Sequence, residues 1–261
     1  MQRLALGLSY RGQGYHGWQS QPDGRTVQDA VEKALTAFAA EPVATVCAGR
    51  TDSGVHALNQ VVHIDTALER DAFSWVRGSN RYLPRDVAVQ WCRPVAADFH
   101  ARNSARGRRY RFVVLESATR PALEQGLVGW VFRPLDARAM QAAAALVIGE
   151  HDFSSFRAAG CQSPTPVKTL RRLEISRRGA YWRFEFDANA FLHHMVRNLM
   201  GCLLAVGSGR QRVEWMAEVL AARCRDAAAP TFPPEGLYFL GPYYDAVHAI
   251  PQHTAAMDWI V

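Results

Sequence analysis

The stretch CAGRTDSGVHALNQ, residues 47–60, places one carboxylate, Asp52, between Gly49 and Gly54 and two residues after Arg50. Thr-Asp-Ser-Gly is a good turn sequence by itself, because Asp and Ser bond to their own backbone and glycine accepts positive φ. Glycines also let a substrate approach the backbone closely. A carboxylate in such a loop can act as a nucleophile or a base, and a nearby arginine favours its ionised form. Asp52 is therefore the first candidate for a reacting group.

A second group of candidate residues lies in FHARNSARGRRYRF, residues 99–112, where arginines surround Tyr110. One interpretation is a basic strand edge that prevents pairing with other chains. The other is an RNA surface, in which arginines bind phosphates and a tyrosine stacks on a base. We favour RNA binding, and the candidate contacts are Arg102, Arg106, Arg108 and Arg109.

The third motif, NAFLHHMVRNLMG, has the apolar spacing of a buried helix with Arg197 inside it. A buried arginine needs a partner, unless its head reaches solvent at the helix boundary. His193 and His194 are adjacent, so they point in different directions and do not form an i, i+4 metal-binding pair. No H-E-x-x-H motif occurs either, and the sequence therefore predicts no metal site.

The composition limits the class of protein further. The net charge is +6, and only Lys33 and Lys168 are lysines, so arginine supplies nearly all of the positive charge. This bias fits RNA binding, and it fits a GC-rich genome equally well. Five scattered cysteines without C-x-x-C spacing argue against disulfides and structural zinc, which favours a cytoplasmic protein. No signal peptide or membrane span is predicted, and the common nucleotide-binding and hydrolase motifs are absent.

Hydrophobic periodicity predicts two related α+β halves, with a boundary between residues 1–103 and 104–261. The first half has strands at 4–10, 43–47, 61–65 and in DVAVQWC, with helices after Thr26 and over 71–81. This β-α-β-β-α-β order is that of a ferredoxin-like unit. The second half has strands in RRYRFVVL and around 169–176 and 181–187, and an extended segment near 237–244. Its helices begin after Asp136 and run from Phe191 to about Val206 and near 213–224.

With these motifs assembled, the chain resembles the tRNA pseudouridine synthase A family over nearly its whole length. The resemblance rests on blocks that occur in the same order: YRGQGYHGWQSQ, RTVQDAVEKAL, AGRTDSGVHA, FHARNSARGRRYRF, HDFSSF, FLHHMVRNLMG and APTFPPEGLY. Two positions depart from the family pattern. Arg11 stands where an aspartate is expected, and Ser53 stands where alanine is common.

The resemblance implies an isomerase that converts uridine to pseudouridine at positions 38–40 of the tRNA anticodon stem-loop, without a cofactor or metal. It implies that Asp52 is the catalytic carboxylate, that Tyr110 lies against the target base and that Arg50 lies beside the flipped nucleotide. Arg197 would be the ionic partner of Asp52. Three roles stay open for Asp52, which could attack the base, attack the sugar or remove a sugar proton. The family fold further implies a homodimer, with two ferredoxin-like halves whose antiparallel sheets meet at a central basic cleft.

Two alternatives belong to other functional classes. A non-catalytic RNA-binding protein would explain the arginines and Tyr110, but it would leave Asp52 and Arg197 without a purpose. A metal-dependent phosphoesterase would use Asp52, His56, His63 and Asp65 as ligands, although their spacing along the chain already counts against it.

Overall fold

The computed structural model describes residues 1–252, whose contacts group into two compact units. The first unit contains residues 1–108 together with the segment that begins at Tyr238, and the second contains Arg109–Leu237. Both units combine helices with mostly antiparallel strands. The α+β class predicted from the sequence is therefore confirmed.

The elements follow one another along the chain in an order close to the prediction. The first unit supplies β1 (Gln2–Tyr10), α1 (Val27–Ala39), β2 (Val46–Cys47), β3 (His56–Thr66), α2 (Ala72–Tyr82) and β4 (Val87–Val95). After β5 (Ala105–Glu116), which runs from the first unit into the second, come β6 (Gly129–Val131), α3 (Ala137–Ala145), β7 (Gly149–Asp152), β8 (Val167–Arg178), β9 (Tyr181–Ala188), α4 (Met195–Gly207) and α5 (Trp215–Ala222). The last strand is β10 (Leu237–Tyr244).

Strand β1 lies in the middle of the sheet of the first unit, antiparallel to both β3 and β4. Leu4, Leu6 and Leu8 on one face are buried, and Ala5 and Gly7 on the other face are buried too, so this strand is covered on both sides. Strand β2 pairs with β3 in antiparallel orientation, and β10 pairs with β3 in parallel orientation. Strand β3 therefore joins three other strands of this unit, and its first residues directly follow the Asp52 loop.

Helices α1 and α2 begin where their capping residues predict. The Thr26 side chain accepts a hydrogen bond from the backbone N–H of Asp29, and Asp71 accepts one from Ser74. The helices pack through Phe38 and Trp75, whose rings meet edge to face at 5.1 Å. Both predicted helices of the first half are confirmed.

The sheet of the second unit has the order β5-β9-β8-β7, with β6 parallel to β5. Strands β8 and β9 form a hairpin that turns at Gly179, as predicted. Trp182, Phe184 and Phe186 alternate along β9 and are fully buried. Every residue of α4 except Arg197 is buried as well, so this helix forms much of the core of the unit.

The prediction that α4 begins at Phe191 is wrong, because the helix begins at Met195. The preceding residue, His194, has a φ of +61°, which lies outside the right-handed helical region. The backbone N–H of Met195 donates to the carbonyl of Leu192 at 3.0 Å, which closes a turn directly before the helix. Apolar spacing continues through the turn, and the sequence pattern therefore overstates the length of the helix.

The C-terminal strand belongs with the first unit, whereas the sequence analysis keeps it in the second half. Residues 238–252 group with residues 1–108, and β10 pairs with β3 through Tyr238–His56 and Phe239–Ala57. Asn59 also donates a side-chain hydrogen bond to the carbonyl of Pro251, at 3.3 Å. The first unit is thus built from two separate stretches of chain.

The length and hydrophobicity of the helices decide whether any of them could span a membrane. Within residues 1–252, no helix combines the length and the apolar character that crossing a bilayer requires. The most completely buried helix, α4, has 13 residues.

Candidate active site

Asp52 occupies the first position of a tight turn between β2 and β3. Its carbonyl oxygen accepts a hydrogen bond from the backbone N–H of Val55, at 3.1 Å. Gly54, at the third position, has a φ of +82°, which a type II turn requires and which glycine adopts without strain. Asp52 itself is half-buried. The turn therefore holds the backbone of Asp52 in one conformation.

A glycine-rich segment after β1 supports this turn from one side. The backbone N–H of Trp18 donates to the carbonyl of Thr51, at 3.0 Å. A β-carbon built on Gly17 would stand 2.7 Å from that same oxygen, and one built on Gly12 would stand 1.9 Å from the carbonyl oxygen of Val55. No side chain fits at either position, so the two glycines allow the two backbones to touch on both sides of Asp52.

Buried polar contacts hold the residues next to Asp52. The hydroxyl of Tyr10 and that of Thr51 are hydrogen-bonded at 2.8 Å, and burial raises the pKa of Tyr10 above its ordinary value. The aromatic rings of Tyr10 and Trp18 lie 5.9 Å apart. Both side chains are buried. The end of β1, the glycine-rich segment and the Asp52 turn thus form one packed assembly.

His56, at the start of β3, ties the other end of the turn to the same segment. Its Nδ1 accepts a hydrogen bond from the backbone N–H of Gly12 at 3.1 Å, which requires the unprotonated form of that nitrogen. The ring stacks on Tyr238 of β10, with centroids 4.7 Å apart and planes 23° apart. The imidazole therefore connects β3 with β10 and with the loop after β1.

Arg50 precedes Asp52 by two residues, and its side chain is exposed. The residue before it, Gly49, is held by the side-chain amide of Gln60, which receives the Gly49 N–H and donates to the Gly49 carbonyl. The backbone is therefore fixed on both sides of Arg50 while its side chain extends toward solvent. This arrangement suits a group that contacts a bound ligand.

The two departures from the family pattern both lie at this assembly. The Ser53 hydroxyl donates to the carbonyl of Tyr15 at 3.1 Å, which adds a contact between the turn and the glycine-rich segment. Arg11 donates its backbone N–H to the carbonyl of Asp86 and its guanidinium to the side chain of Gln13. Arg11 therefore contacts the segment after α2 and its own loop.

The arginines predicted to bind RNA differ in their surroundings. Arg106 forms an ion pair with Asp245 at 2.6 Å, which holds the pKa of that carboxyl below its ordinary value. Arg108 instead donates to the backbone carbonyls of Ala48 and Arg102, at 3.0 and 2.7 Å. Arg102 is exposed, with its guanidinium 3.9 Å from the sulfur of Cys47. Arg108 therefore stabilises the chain just before the Asp52 loop, whatever else it binds.

In the second unit, Tyr110 and Arg197 lie on different elements. Tyr110, on β5, is buried and meets the ring of Phe191 edge to face at 5.0 Å. Arg197 is the third residue of α4, and its Nε donates to the carbonyl of Phe232 at 2.9 Å. No acidic residue lies in the first turn of α4. A cation at the positive end of a helix dipole favours an anion nearby.

The predicted site residues thus fall into two sets. Asp52 and Arg50 belong to the first unit with Arg102, Arg106 and Arg108, whereas Arg109, Tyr110 and Arg197 belong to the second. The sequence analysis missed the residues that shape the Asp52 turn, namely Tyr10, Gly12, Gly17 and Gln60. The glycine spacing of YRGQGYHGWQSQ was a usable signal, because glycines at such spacing commonly mark close backbone contacts.

The ligand set of the phosphoesterase alternative is not assembled. His56 and His63 stand seven residues apart on β3, which is roughly 20 Å along a strand. His63 accepts the backbone N–H of Ala101, and Asp65 is bound by the guanidinium of Arg3 at 2.7 Å. A single metal ion cannot contact both histidines, so this alternative fails on geometry.

Comparison with known proteins supplies the family. A family model described as tRNA pseudouridine synthase matches residues 8–103 and 143–245. A tRNA pseudouridine synthase A from Methylibium petroleiphilum is 72% identical over 99% of both chains, and one from Polaromonas naphthalenivorans is 63% identical over 99% of both. Among solved structures, a Cbf5-Nop10-Gar1 complex aligns over 86% of this chain and 60% of its own, with 13% identity and a TM-score of 0.35. That structural likeness is too weak to support a statement about the site.

Proposed function

The chain belongs to the tRNA pseudouridine synthase family and is an isomerase that converts uridine in tRNA to pseudouridine, and we propose that Asp52 is its catalytic carboxylate. We further propose that its targets lie in the anticodon stem-loop. The family membership also disfavours the non-catalytic RNA-binding alternative. The observation that carries the catalytic proposal is the Asp52 turn, whose backbone is fixed by contacts to Trp18 and Val55.

The reaction exchanges one bond of the nucleoside for another. The bond between N1 of uracil and C1′ of ribose breaks, and a bond between C5 and C1′ forms. N1 gains a proton and C5 loses one, so product and substrate are isomers. The protein must hold the base while it is detached and must also supply a group that starts the cleavage. A carboxylate on a rigid turn meets the second need, since a reacting group acts best when it is held in place beforehand.

The other site residues are proposed to bind the substrate. Arg50 projects from a fixed backbone and is suited to a phosphate or the flipped nucleotide. Tyr110 is proposed to contact the target base, and the assignment of Arg197 as the cation that pairs with Asp52 stays a prediction from the resemblance. Taking a base out of its stack costs a few kcal/mol, which such contacts would offset.

Finer features of the family are also proposed for this chain. The element order β1-α1-β2-β3-α2-β4 of the first unit supports a ferredoxin-like half, and the paired halves would enclose a basic cleft.

Five free cysteines fit a reducing cytoplasm. A homodimer is expected from the resemblance, and light scattering of the purified protein will measure its mass directly.

The test of the catalytic proposal uses a tRNA transcript that carries tritium at C5 of uridine. Tritium release is followed in the presence of EDTA for the wild type, Asp52→Asn and the control Asp226→Asn, which changes an exposed aspartate of the second unit. We expect release by the wild type and by the control but none by Asp52→Asn, whose affinity for the transcript stays close to that of the wild type. Loss of RNA binding together with activity would mean that Asp52 is structural.

The target region is tested with the same transcript. Chemical mapping of pseudouridine after reaction reports which uridines are converted. Conversion confined to the anticodon stem-loop supports the proposal, whereas conversion only in another arm of the tRNA contradicts the target region and leaves the assignment of Asp52 intact.

A further inference from the structure

The outward face of α2 carries a stripe of exposed side chains, Phe73, Arg77 and Arg81, which we call the α2 stripe. The three residues are spaced by four, so they lie on one face of the helix, opposite the side that packs on α1 through Trp75. Phe73 is 66% exposed, and the Arg77 guanidinium lies over its ring at 5.5 Å. The cation and the aromatic ring thus contact each other on the outward face of the helix.

Arginines outnumber acidic residues in this region. Residues 69–86 contain four arginines and three acids, of which Asp71 caps α2 and Asp86 accepts the Tyr15 hydroxyl. Among residues 1–252, no carboxylate forms an ion pair with Arg77, Arg81 or Arg85. Arg106, by contrast, has a carboxylate partner. The α2 stripe is therefore a surface of available guanidinium groups.

Hydrogen bonds connect the Asp52 turn to the segment that directly follows α2. Ser53 donates to the carbonyl of Tyr15, and the Tyr15 hydroxyl donates to the carboxylate of Asp86 at 2.7 Å. Asp86 follows the C-terminal end of α2 by four residues. Arg81, Arg77 and Phe73 precede Asp86 along the chain and are spaced by about 6 Å along the helix axis.

We propose that the α2 stripe binds the phosphate backbone of the substrate tRNA on its way from the candidate active site. Guanidinium groups match phosphates in geometry and charge, and arginines one helical turn apart can bind successive phosphates of one strand. Phe73 keeps Arg77 extended and offers a surface for sugar or base. This inference rests on the proposed function, because it takes the Asp52 turn as the place where the target nucleotide binds.

The experiment measures the affinity of the full-length protein for an unmodified tRNA transcript over a series of salt concentrations. The double variant Arg77→Ala/Arg81→Ala is compared with Arg77→Lys/Arg81→Lys, which keeps the charge. The matched control is Arg178→Ala, an equally exposed arginine at the β8–β9 turn. We expect the alanine pair to bind more weakly, with a slope of log affinity against log salt reduced by roughly 1–2. The lysine pair and the control should keep nearly the wild-type slope.

An unchanged slope for the alanine pair, with a normal thermal unfolding midpoint, would overturn the proposal. A change in sedimentation mass without a change in RNA binding would also overturn it, since the stripe would then join two copies of the chain. Tritium release by the wild type, measured on the same transcript, separates the two hypotheses. An inactive wild type contradicts the proposed function, whereas an active wild type with an unchanged slope contradicts only the α2 stripe.

Discussion

Gly17 lies so close to Thr51 that a β-carbon on Gly17 would stand 2.7 Å from the Thr51 carbonyl oxygen and 3.2 Å from the carbonyl carbon of Asp52. Gly17 also has a φ of +85°, in the left-handed region that side chains disfavour. Two independent constraints therefore require glycine here, and both act on the backbone that carries Asp52.

Gly17→Ala is expected to displace the Asp52 turn. Backbone strain at such a position costs about 1–3 kcal/mol, and the steric contact with Thr51 adds to it. The predicted result is a lower unfolding midpoint and a large loss of tritium release. Gly14→Ala is the matched control, because no atom lies within 4 Å of a β-carbon there. Equal effects of the two substitutions would show that the close contact at Gly17 is unimportant.

Arg108→Ala is expected to reduce stability. The side chain is half-buried and donates to the carbonyls of Ala48 and Arg102, and its removal leaves those acceptors without their donor. The predicted loss in the free energy of unfolding is about 1–3 kcal/mol, measured by urea denaturation. If only RNA affinity changed and stability did not, Arg108 would be a phosphate contact rather than a structural group.

Arg106 and Asp245 are expected to affect RNA affinity in opposite directions. Their ion pair is exposed, so its loss should change the free energy of unfolding little. Arg106→Ala removes a cation and should weaken RNA binding, with the salt slope reduced by about 1. Asp245→Asn removes a negative charge beside Arg106 and should strengthen binding. Weaker binding by Asp245→Asn would mean that the pair acts by holding the local backbone.

His63 is expected to make stability depend on pH. It is buried, its Nδ1 accepts the Ala101 N–H, and it faces Arg3, His100 and Asp65. Burial, followed by the charges of Arg3 and His100, lowers its pKa from 6.5 to about 4. The unfolded chain then binds more protons between these values, so stability rises with pH across this window and falls as the solution is acidified.

The corresponding measurement is urea unfolding at pH 4.5 to 7, chosen to cover the interval between the folded and unfolded pKa values. The wild type should gain about 2 kcal/mol across this interval. His63→Asn removes the titrating group and should flatten the dependence. An identical slope for both proteins would assign the pH effect to another residue.

Local signals explain why the helices could be predicted. Thr26, Asp71 and Asp136 each accept a backbone N–H three residues ahead, which is the geometry expected of capping residues. The apolar stripes that follow them match the buried faces. Such information lies within one turn of the chain, so the sequence alone carries it. The start of α4 was predicted wrongly because the apolar spacing continues through the turn at residues 192–195, where His194 has a positive φ.

The shape of the site could be predicted only in part. The GRTDSG block identifies the turn and its carboxylate, because the turn is local. The contacts of Gly12 with Val55 and of Gly17 with Thr51 join segments more than 30 residues apart, and periodicity says nothing about such pairs. The parallel pairing of β10 with β3 and the ion pair of Arg106 with Asp245 likewise join residues that are far apart in the sequence.

The pairing of β10 with β3 also has a consequence for biosynthesis. A ribosome releases residues 1–108 long before Tyr238, so the first unit emerges without one of its strands and without the ring that stacks on His56. Within residues 1–252, the second unit, Arg109–Leu237, lies wholly between these two stretches. Domains generally fold as they leave the ribosome, from the N-terminus onward. Among the described residues this order is reversed, because the unit that is begun first, which carries Asp52, gains its last strand after the other unit has emerged.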